Sequence, residues 1–426
     1  MNVTIQGGRL IDPASETDTV TDLFISDQRI SGIGHPPGSF VADQVISAHN
    51  RIVCPGLIDL CARLREPGQE HKATIASETR TAAAGGITTL VCPPDTDPVI
   101  DEPAVVELIR RRARSAGHAR ILTLGALTHQ LDGERLAEMA TLKEAGCVAV
   151  SDGGQPIANS RVLRRALEYA ATFDLTVFLT PLDPAFSDGL VHEGQIATRM
   201  GLPTIPVAAE TGIIARNLEL IHDLDVRVHF GRLSSGRAVE LIARAQADGL
   251  AVTADAAVHS LHLSEIDMLG FDSRCHVRPP LRGLHDMEAL RAALSSGVLT
   301  ALCSDHQPHE PDAKQSPLGN TAPGISGLDT LLALGLRLVR DGVLPLPALI
   351  ERLSWGAAQI LGLDSGHLGI GAMADVCIFD PDVAWPVKHE SLVSRGHNTP
   401  FLGWELQGRV THTMLEGQLI YQNETK

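Results

Sequence analysis

The amino-acid sequence predicts an α/β protein: a (β/α)8, TIM-like barrel with a small composite β domain formed from both termini. At 426 residues the chain is too long for one small core, so a large domain with an added module is expected. The middle of the chain repeats a strand-then-helix pattern, whereas both ends alternate apolar and polar residues as strands do. These two patterns divide the chain into a barrel and a β domain.

The two ends of the chain, residues 1–54 and 360–426, are expected to form the β domain together. Their alternation is broken by Gly and by Asp or Asn turns, which is typical of short antiparallel strands. At the N-terminal end it runs through VTIQGGRLID, TDLFISDQRISGIG and QVISAHNRIV, and at the C-terminal end through GHLGIGAMADVCIFD and GRVTHTMLEGQLIY.

Residues 55–359 are expected to form the barrel. Short apolar strands recur there, with helical patterns such as 102–117 and 160–173 between them. The predicted strands are 56–62, 87–93, 120–127, 147–152, 175–180, 226–232, 250–255 and 299–305. Eight strands in this rhythm favour a (β/α)8 barrel, whose chemistry lies at the carboxyl ends of the strands.

Charge and cysteine usage restrict the partners and the compartment. A net charge of −16 disfavours nucleic acid and anionic membranes as partners. No apolar run reaches the ~18 residues that span a bilayer, and the first residues lack the pattern of a signal peptide. The seven cysteines include no C-x-x-C pair, which favours buried, reduced thiols in a cytoplasmic protein over a disulfide framework.

The residues that follow the predicted barrel strands are the candidate site residues. They are Asp59, Cys61, Arg63 and Arg65 after the first strand, Asp152 after the fourth, Thr180 after the fifth, Arg232 after the sixth, and Asp305, His306 and His309 after the eighth.

Longer segments around these residues resemble a known family. PGLID, followed after four residues by LREPGQEHKATIASETRTAAAGGITTLVCPP, is similar to the first signature of class I dihydroorotases in the amidohydrolase superfamily. SDHQPHEPDAK with APGISGLDTLL resembles their second signature, and RRALEYAATFDL, HEGQIATRMGLP and RPPLR match in order between them. The resemblance covers nearly the whole chain and implies a metal-bearing (β/α)8 barrel with a small composite β domain.

The resemblance also implies that this chain has lost the metal ligands of the family. Histidines of the family fall on Cys61, Arg63, Thr180 and Arg232, whereas carboxylates remain at Asp152 and at Asp305, the family's general base. Zinc in a catalytic site needs about three protein donors and an open position. An arginine has no lone pair to offer and would repel a cation, so zinc is expected to be absent and Asp305 to be vestigial.

The substrate contacts implied by the resemblance are also altered. Arg65 and His309 keep the pattern that holds the substrate carboxylate in the family, but Asp95 replaces an asparagine and would repel a carboxylate. Arg278 replaces the asparagine of the family's NPPLR segment. These substrate-binding positions are therefore expected to be vestigial as well.

A metal site rebuilt from other residues is an alternative. Cys61 with Asp152 and Asp305 would give a thiolate–carboxylate set, His259-x-x-His262 has a spacing usable on a helix, and His306 and His309 are close in sequence. A lone His or Cys at a strand end is more often packed or hydrogen-bonded than bound to a metal.

The resemblance is greatest to the non-catalytic dihydroorotase-like subunits of some bacterial pyrimidine pathways. It implies a pseudoenzyme that assembles with the aspartate carbamoyltransferase catalytic chain, and a homo-oligomer is also possible. Two other functions stay open. One is an active dihydroorotase, or a related cyclic amidohydrolase, with an atypical metal site. The other is a sensor that binds a pyrimidine intermediate without converting it.

The two new arginines also lead to a structural prediction. Without a metal, Asp152 and Asp305 would be buried carboxylates with uncompensated charge, which is costly. Arg63 and Arg232 together bring the +2 charge of one Zn²⁺, so we expect one or both to pair with Asp152 or Asp305. The alternative is that both side chains extend into solvent.

Overall fold

The computed structural model describes residues 1–186 and 188–423. Its strands, in chain order, are β1 (Val3–Asp12), β2 (Thr17–Ser26), β3 (Arg29–Ile33), β4 (Gln44–Ser47), β5 (Ile52–Pro55), β6 (Leu57–Asp59), β7 (Ile87–Cys92), β8 (Arg120–Ala126), β9 (Ala149–Ser151), β10 (Thr176–Leu179), β11 (Val191–His192), β12 (Thr204–Ile205), β13 (Val228–Phe230), β14 (Val252–Ala257), β15 (Ala301–Cys303), β16 (Val376–Pro386), β17 (Glu405–Leu415) and β18 (Gln418–Gln422). Its α-helices are α1 (Ile75–Ala84), α2 (Pro103–Ala116), α3 (Met139–Ala145), α4 (Ser160–Thr172), α5 (Gln195–Met200), α6 (Ala208–Ile221), α7 (Gly236–Ala247), α8 (Leu284–Ser296), α9 (Leu331–Arg340), α10 (Leu346–Leu353) and α11 (Trp355–Leu361).

Eight parallel strands form the barrel, and each neighbours the next in the order β6, β7, β8, β9, β10, β13, β14, β15. A parallel bridge between Ala62 and His306 closes the barrel. There the His306 amide donates to the Cys61 carbonyl at 3.1 Å, and the Arg63 amide donates to the His306 carbonyl at 2.9 Å. The predicted (β/α)8 barrel is confirmed, and each of its strands overlaps a predicted segment.

The barrel strands form because their residues suit burial on both faces. β7 has the sequence ITTLVC, and all six residues are buried, as in parallel strands that are covered on both sides. Apolar side chains fill the barrel interior, among them Ile58, Val91, Leu124 and Phe178. The helices outside have defined starts: Thr74 caps α1 in a reciprocal capping box with Ser77.

A second sheet combines the two termini in the order β18, β17, β16, β5, β1, β2, β3, with β4 paired to β1. N-terminal β5 and C-terminal β16 are antiparallel, and Cys54 lies opposite Cys377. The composite β domain is therefore confirmed. The prediction that the strand pattern starts at residue 366 is wrong, because β16 begins at Val376. Gly366 and Gly371 have φ angles of 74° and 91°, which a strand does not allow.

The cysteines agree with the expectation of reduced thiols. All seven are buried, and none forms a disulfide in the part of the chain that the structure describes. Among the same residues, no helix is long and apolar enough to cross a bilayer.

Candidate functional site

The residues that follow the barrel strands meet at one end of the barrel, which we call the barrel mouth. Hydrogen bonds and ion pairs join all six former ligand positions into one cluster: Cys61, Arg63, Asp152, Thr180, Arg232 and Asp305. The sequence predicted these positions from separate segments, and the barrel brings them together.

Both arginines point into the barrel mouth and share Asp305. Nη1 of Arg63 lies 3.3 Å from Asp305 Oδ1, and Nη1 of Arg232 lies 3.1 Å from the same oxygen. The side chains are 10% and 9% exposed, and Asp305 is 1% exposed. Burial acts to raise the pKa of Asp305, but Arg232 and Arg63 outweigh it and the pKa is lowered. The predicted pairing is confirmed, and the alternative that the arginines extend into solvent is wrong.

Cys61 lies between the two charges as a neutral thiol. Its Sγ is 3.5 Å from Asp305 Oδ1 and accepts from Nη1 of Arg232 at 3.4 Å. Burial raises the pKa of this thiol to about 12, even though Arg232 acts to lower it. Because a metal takes the thiolate, this environment disfavours the thiolate–carboxylate set considered above.

Asp152 has a different partner from the one that the charge argument suggested. Its Oδ2 accepts from the Thr180 amide at 2.8 Å, and its Oδ1 accepts from Thr180 Oγ1 at 2.8 Å and from the Gly154 amide at 3.0 Å. Burial raises its pKa. Arg232 reaches Asp152 indirectly, because its Nη2 donates to Thr180 Oγ1 at 3.0 Å. The threonine therefore satisfies a carboxylate at the position where the family has a ligand.

Asp95 belongs to the same network and does not present a free negative charge. Nε of Arg63 donates to its Oδ2 at 2.6 Å. Burial acts to lower the pKa of Arg63, but Asp95 and other neighbours outweigh burial, so the pKa is raised. The expectation that Asp95 repels an anion therefore needs correction: Arg63 neutralises the carboxylate because the barrel places the two side chains in contact.

Arg65 and His309 lie together, as the resemblance implied, but their contacts are with each other and with the main chain. Arg65 donates from Nε to the Pro308 carbonyl at 3.0 Å, and its Nη2 lies 3.1 Å from His309 Nε2. The same Nε2 is 3.0 Å from the Pro323 carbonyl. Burial lowers the pKa of His309 to about 3, so the ring is neutral at pH 7 and Nε2 can satisfy only one of these contacts at a time.

Three residues of the barrel mouth have strained backbone. Arg65, Arg232 and Asp305 have φ angles of 63°, 60° and 45°, a region that costs non-glycine residues on the order of 1 kcal/mol or more each. Such conformations persist where the surroundings hold them, and they cluster at functional sites. The barrel mouth thus keeps the strained geometry of a site even with altered side chains.

The donor set does not fit a zinc ion. Each carboxylate oxygen of Asp152 and Asp305 already accepts a hydrogen bond from the protein, and Gln307 supplies the one to Asp305 Oδ2 at 3.2 Å. The guanidinium groups add charge of the wrong sign. No group of three or more His, Cys, Asp or Glu side chains placed to hold a metal occurs within residues 1–186 and 188–423.

The candidate histidines have partners other than a metal. Nε2 of His262 bonds to the Leu334 carbonyl at 2.9 Å. Nε2 of His306 lies 2.9 Å from Glu78, and its Nδ1 accepts from an amide at 3.1 Å. Both ring nitrogens of His306 are therefore occupied.

Some residues that support the barrel mouth were missed by sequence reasoning. Asn398, from the C-terminal part of the chain, accepts from the His309 amide at 2.8 Å. Glu78 on α1 is fully buried and holds both His306 and Ser394. A buried glutamate within an amphipathic helix carries no sequence signal that distinguishes it from an exposed one.

Comparison with protein-family models identifies two matches. A family described as Dihydro-orotase-like matches residues 50–237, and one described as Amidohydrolase family matches residues 207–421. Among solved structures, the L-hydantoinase (dihydropyrimidinase) of Arthrobacter aurescens is similar with a TM-score of 0.87 at 23% identity, over 99% of this chain and 96% of that one. The dihydropyrimidinase of Brevibacillus agri gives a TM-score of 0.84 at 20% identity, over 100% and 96%. At these identities the likeness establishes the fold alone.

Relatives by sequence match over almost their full lengths. A dihydroorotase-like protein of Pseudomonas aeruginosa is 49% identical over 99% of this chain and 100% of its own. A dihydroorotase-like protein of Pseudomonas putida is 48% identical over 100% of both chains. A protein named dihydroorotase from Geobacter sp. is 41% identical over 99% and 100%. The chain therefore belongs to the dihydroorotase family of the amidohydrolase superfamily.

Proposed function

We propose that this chain is a non-catalytic member of the dihydroorotase family that acts in the cytoplasm. Its proposed role is to support assembly of the aspartate carbamoyltransferase catalytic chain in pyrimidine biosynthesis. The observation that carries the non-catalytic part is the pair of guanidinium groups on Asp305, where a dihydroorotase would need a metal ligand and a general base. The partner rests on the family resemblance described above.

Asp305 is poorly suited to act as a general base. A base works best when its pKa lies near the working pH, whereas the two arginines lower the pKa of Asp305 below its usual acidic value. Without a metal-bound hydroxide there is also no nucleophile for Asp305 to generate. The two arginines therefore compromise both the general base and the metal-bound nucleophile of the family's chemistry.

The first prediction concerns metal and activity. The purified full-length chain is expected to contain far less than one zinc per chain, because arginines occupy the place of two ligands. It should neither hydrolyse dihydroorotate nor cyclise carbamoyl aspartate. Elemental analysis and a dihydroorotate assay measure the two quantities on one preparation.

Cys61→Ser is the matched variant for this test. This substitution removes the thiol, the one soft metal ligand of the cluster, and nearly keeps the size of the side chain. Zinc content and activity should therefore both stay at background. Stoichiometric zinc in the natural chain that disappears in Cys61→Ser would contradict the proposal and support an active dihydroorotase, or a related cyclic amidohydrolase, with an atypical site. The 41% identical relative named dihydroorotase makes that alternative worth testing.

The second prediction concerns the partner. When the aspartate carbamoyltransferase catalytic chain is co-expressed with this chain, the two should co-purify, and the transferase should be more active or more stable than alone. Sedimentation of each chain alone and of the mixture measures the assembly, and it also shows whether this chain forms a homo-oligomer. A transferase that assembles and works equally well alone would refute the scaffold role.

Cys61→Ser also serves as the control for assembly. Because the proposed role needs the folded surface and not the chemistry of the barrel mouth, this variant should support the transferase as well as the natural chain does.

A further inference from the structure

Four large apolar side chains are exposed on one surface beyond β14, and we call this surface the apolar patch. Each is about half exposed, and they are Ile266, Leu269, Phe271 and Leu284. The Glu265 amide donates to the Arg282 carbonyl at 2.8 Å, so the segment with the first three side chains runs beside the start of α8. Exposed apolar side chains that cluster in this way are typical of sites where another protein binds.

The segment that forms the apolar patch is fixed to the barrel. Its 3-10 helix (Glu265–Met268) ends in a methionine that is 3% exposed and packs in the main apolar core. The Leu269 amide donates to the Ile266 carbonyl at 3.0 Å, and the Phe271 amide donates to the Met268 carbonyl at 3.0 Å. The apolar side chains are therefore exposed on a folded turn whose other face is buried.

Phe271 has a backbone conformation that a bulky residue rarely adopts. Its φ angle is 62°, in the left-handed region, which asparagine and glycine accept more easily. The side chain is 53% exposed, more than that of any other phenylalanine within residues 1–186 and 188–423. Neither packing nor backbone preference explains a phenylalanine here. An aromatic side chain is, however, a common anchor of a protein interface.

Acidic side chains lie beside the apolar patch. Burial, and then the charge of Asp286, raise the pKa of Glu265, so these two carboxyl groups repel each other. Neither they nor the exposed Asp267 has a basic side chain within ion-pair distance in the part of the chain that the structure describes. Arg282 acts electrostatically on Asp286, but it is buried and acts on Glu210 as well. The surroundings of the patch therefore have an excess of negative charge.

This charge distinguishes between the possible occupants of the patch. A second copy that docked through the same patch about a twofold axis would bring its own acidic groups against these, and each chain has a net charge of −16. Like charges that face each other across an interface are unfavourable. A partner with basic side chains around an apolar contact is favoured instead.

We propose that the apolar patch docks a partner protein whose matching face has apolar side chains flanked by arginine or lysine, with Phe271 as the anchor. The inference rests on the assembly role proposed above, and it names the surface through which the assembly occurs. Burial of the apolar side chains provides most of the affinity. The acidic groups accelerate the encounter with a basic partner and disfavour other partners.

Phe271→Asn tests the proposal. Asparagine suits the left-handed backbone and removes the ring, so the variant should unfold at the same temperature as the natural chain or at a higher one. Its affinity for the aspartate carbamoyltransferase catalytic chain should fall about tenfold or more, as measured by sedimentation of mixtures. Thermal melts show whether the variant is folded, and Leu269→Ser replaces it in the test if it is not.

Phe173→Asn is the matched control. This phenylalanine is 37% exposed at the end of α4, between β9 and β10, and so it lies outside the apolar patch. Its replacement should leave the affinity for the transferase chain unchanged.

Glu265→Gln tests the charge of the partner. The substitution nearly keeps the shape of the side chain and removes its negative charge. The affinity should fall less than in Phe271→Asn, and it should depend less on salt concentration than in the natural chain. If affinity and salt dependence both equal those of the natural chain, the partner does not present basic groups to this side chain and the proposal is wrong on this point.

The outcomes separate this proposal from the assembly role. If the natural chain and the transferase chain do not assemble, the assembly role fails and the proposed surface fails with it. If they assemble and folded Phe271→Asn assembles equally well, the assembly role stands and the apolar patch is not its surface. A homo-oligomer of the natural chain that Phe271→Asn dissociates would show that a second copy occupies the patch, which would overturn the choice of partner.

Discussion

Replacing Asp305 with asparagine should lower the free energy of unfolding by about 3–5 kcal/mol, the usual cost of removing one partner from a buried ion pair. Asp305 is 1% exposed and accepts from both arginines. Arg63 would keep Asp95 as a partner. Arg232 would have no carboxylate within ion-pair distance among the residues that the structure describes. Urea denaturation of the two proteins measures the difference.

A second substitution distinguishes charge from packing. Adding Arg232→Met to Asp305→Asn removes the uncompensated guanidinium, so the double variant should be more stable than Asp305→Asn alone. Asp223→Asn removes a carboxylate that is 81% exposed and should change the unfolding free energy by less than about 1 kcal/mol. If Asp305→Asn costs no more than Asp223→Asn, the ion cluster does not replace the metal in stabilising the barrel mouth.

Lowering the pH from 7 to 5 is expected to remove about 2 kcal/mol of stability for each of four buried neutral histidines, and buried acids with raised pKa values act in the opposite direction. In the folded protein, burial lowers the pKa values of four histidines: His259 to about 4, His262 to about 3, His276 to about 4 and His309 to about 3. In the unfolded chain their pKa is about 6.5.

The sign follows from the protons that each state binds. Between about pH 6.5 and 4 the unfolded histidines are protonated and the folded ones are not. The stability that they contribute is therefore complete above about pH 6.5 and falls by about 2 kcal/mol for each ring between pH 7 and 5. Asp59 and Asp329 act oppositely, because burial raises their pKa values to about 7 and about 6. These folded carboxyls keep a proton that the unfolded ones release, and together they add about 4 kcal/mol as the pH falls to 5. Burial also raises the pKa values of Asp152 and Glu210, which act in the same direction.

Urea denaturation at pH 7, 6 and 5 measures this dependence. His262→Gln should make it shallower by about 2 kcal/mol, since glutamine does not titrate. His222→Gln, at an exposed position, should leave the slope nearly unchanged. A pH dependence in His262→Gln that equals that of the natural chain would show that the pKa of His262 is not lowered in the folded protein.

The sequence was enough to predict the positions of the barrel strands, because each strand is an apolar run that a helical pattern follows. A strand that is buried on both faces needs apolar residues throughout and a helix that covers it. It also identified Cys61, Arg63, Thr180 and Arg232 at the positions of the family's ligands, since a collinear resemblance assigns positions without coordinates. The start of β16 was missed because glycine-rich turns before it imitate the alternation of a strand.

Only the tertiary structure decided how the charges pair. From the sequence alone, either retained carboxylate was an equally good partner for the arginines. Thr180 satisfies Asp152 through both its amide and its hydroxyl, which leaves Asp305 to both guanidinium groups. Asp95 likewise became a partner of Arg63. Pairing between side chains from different strands depends on distances of a few ångströms across the barrel mouth, and strand spacing along the chain does not contain those distances.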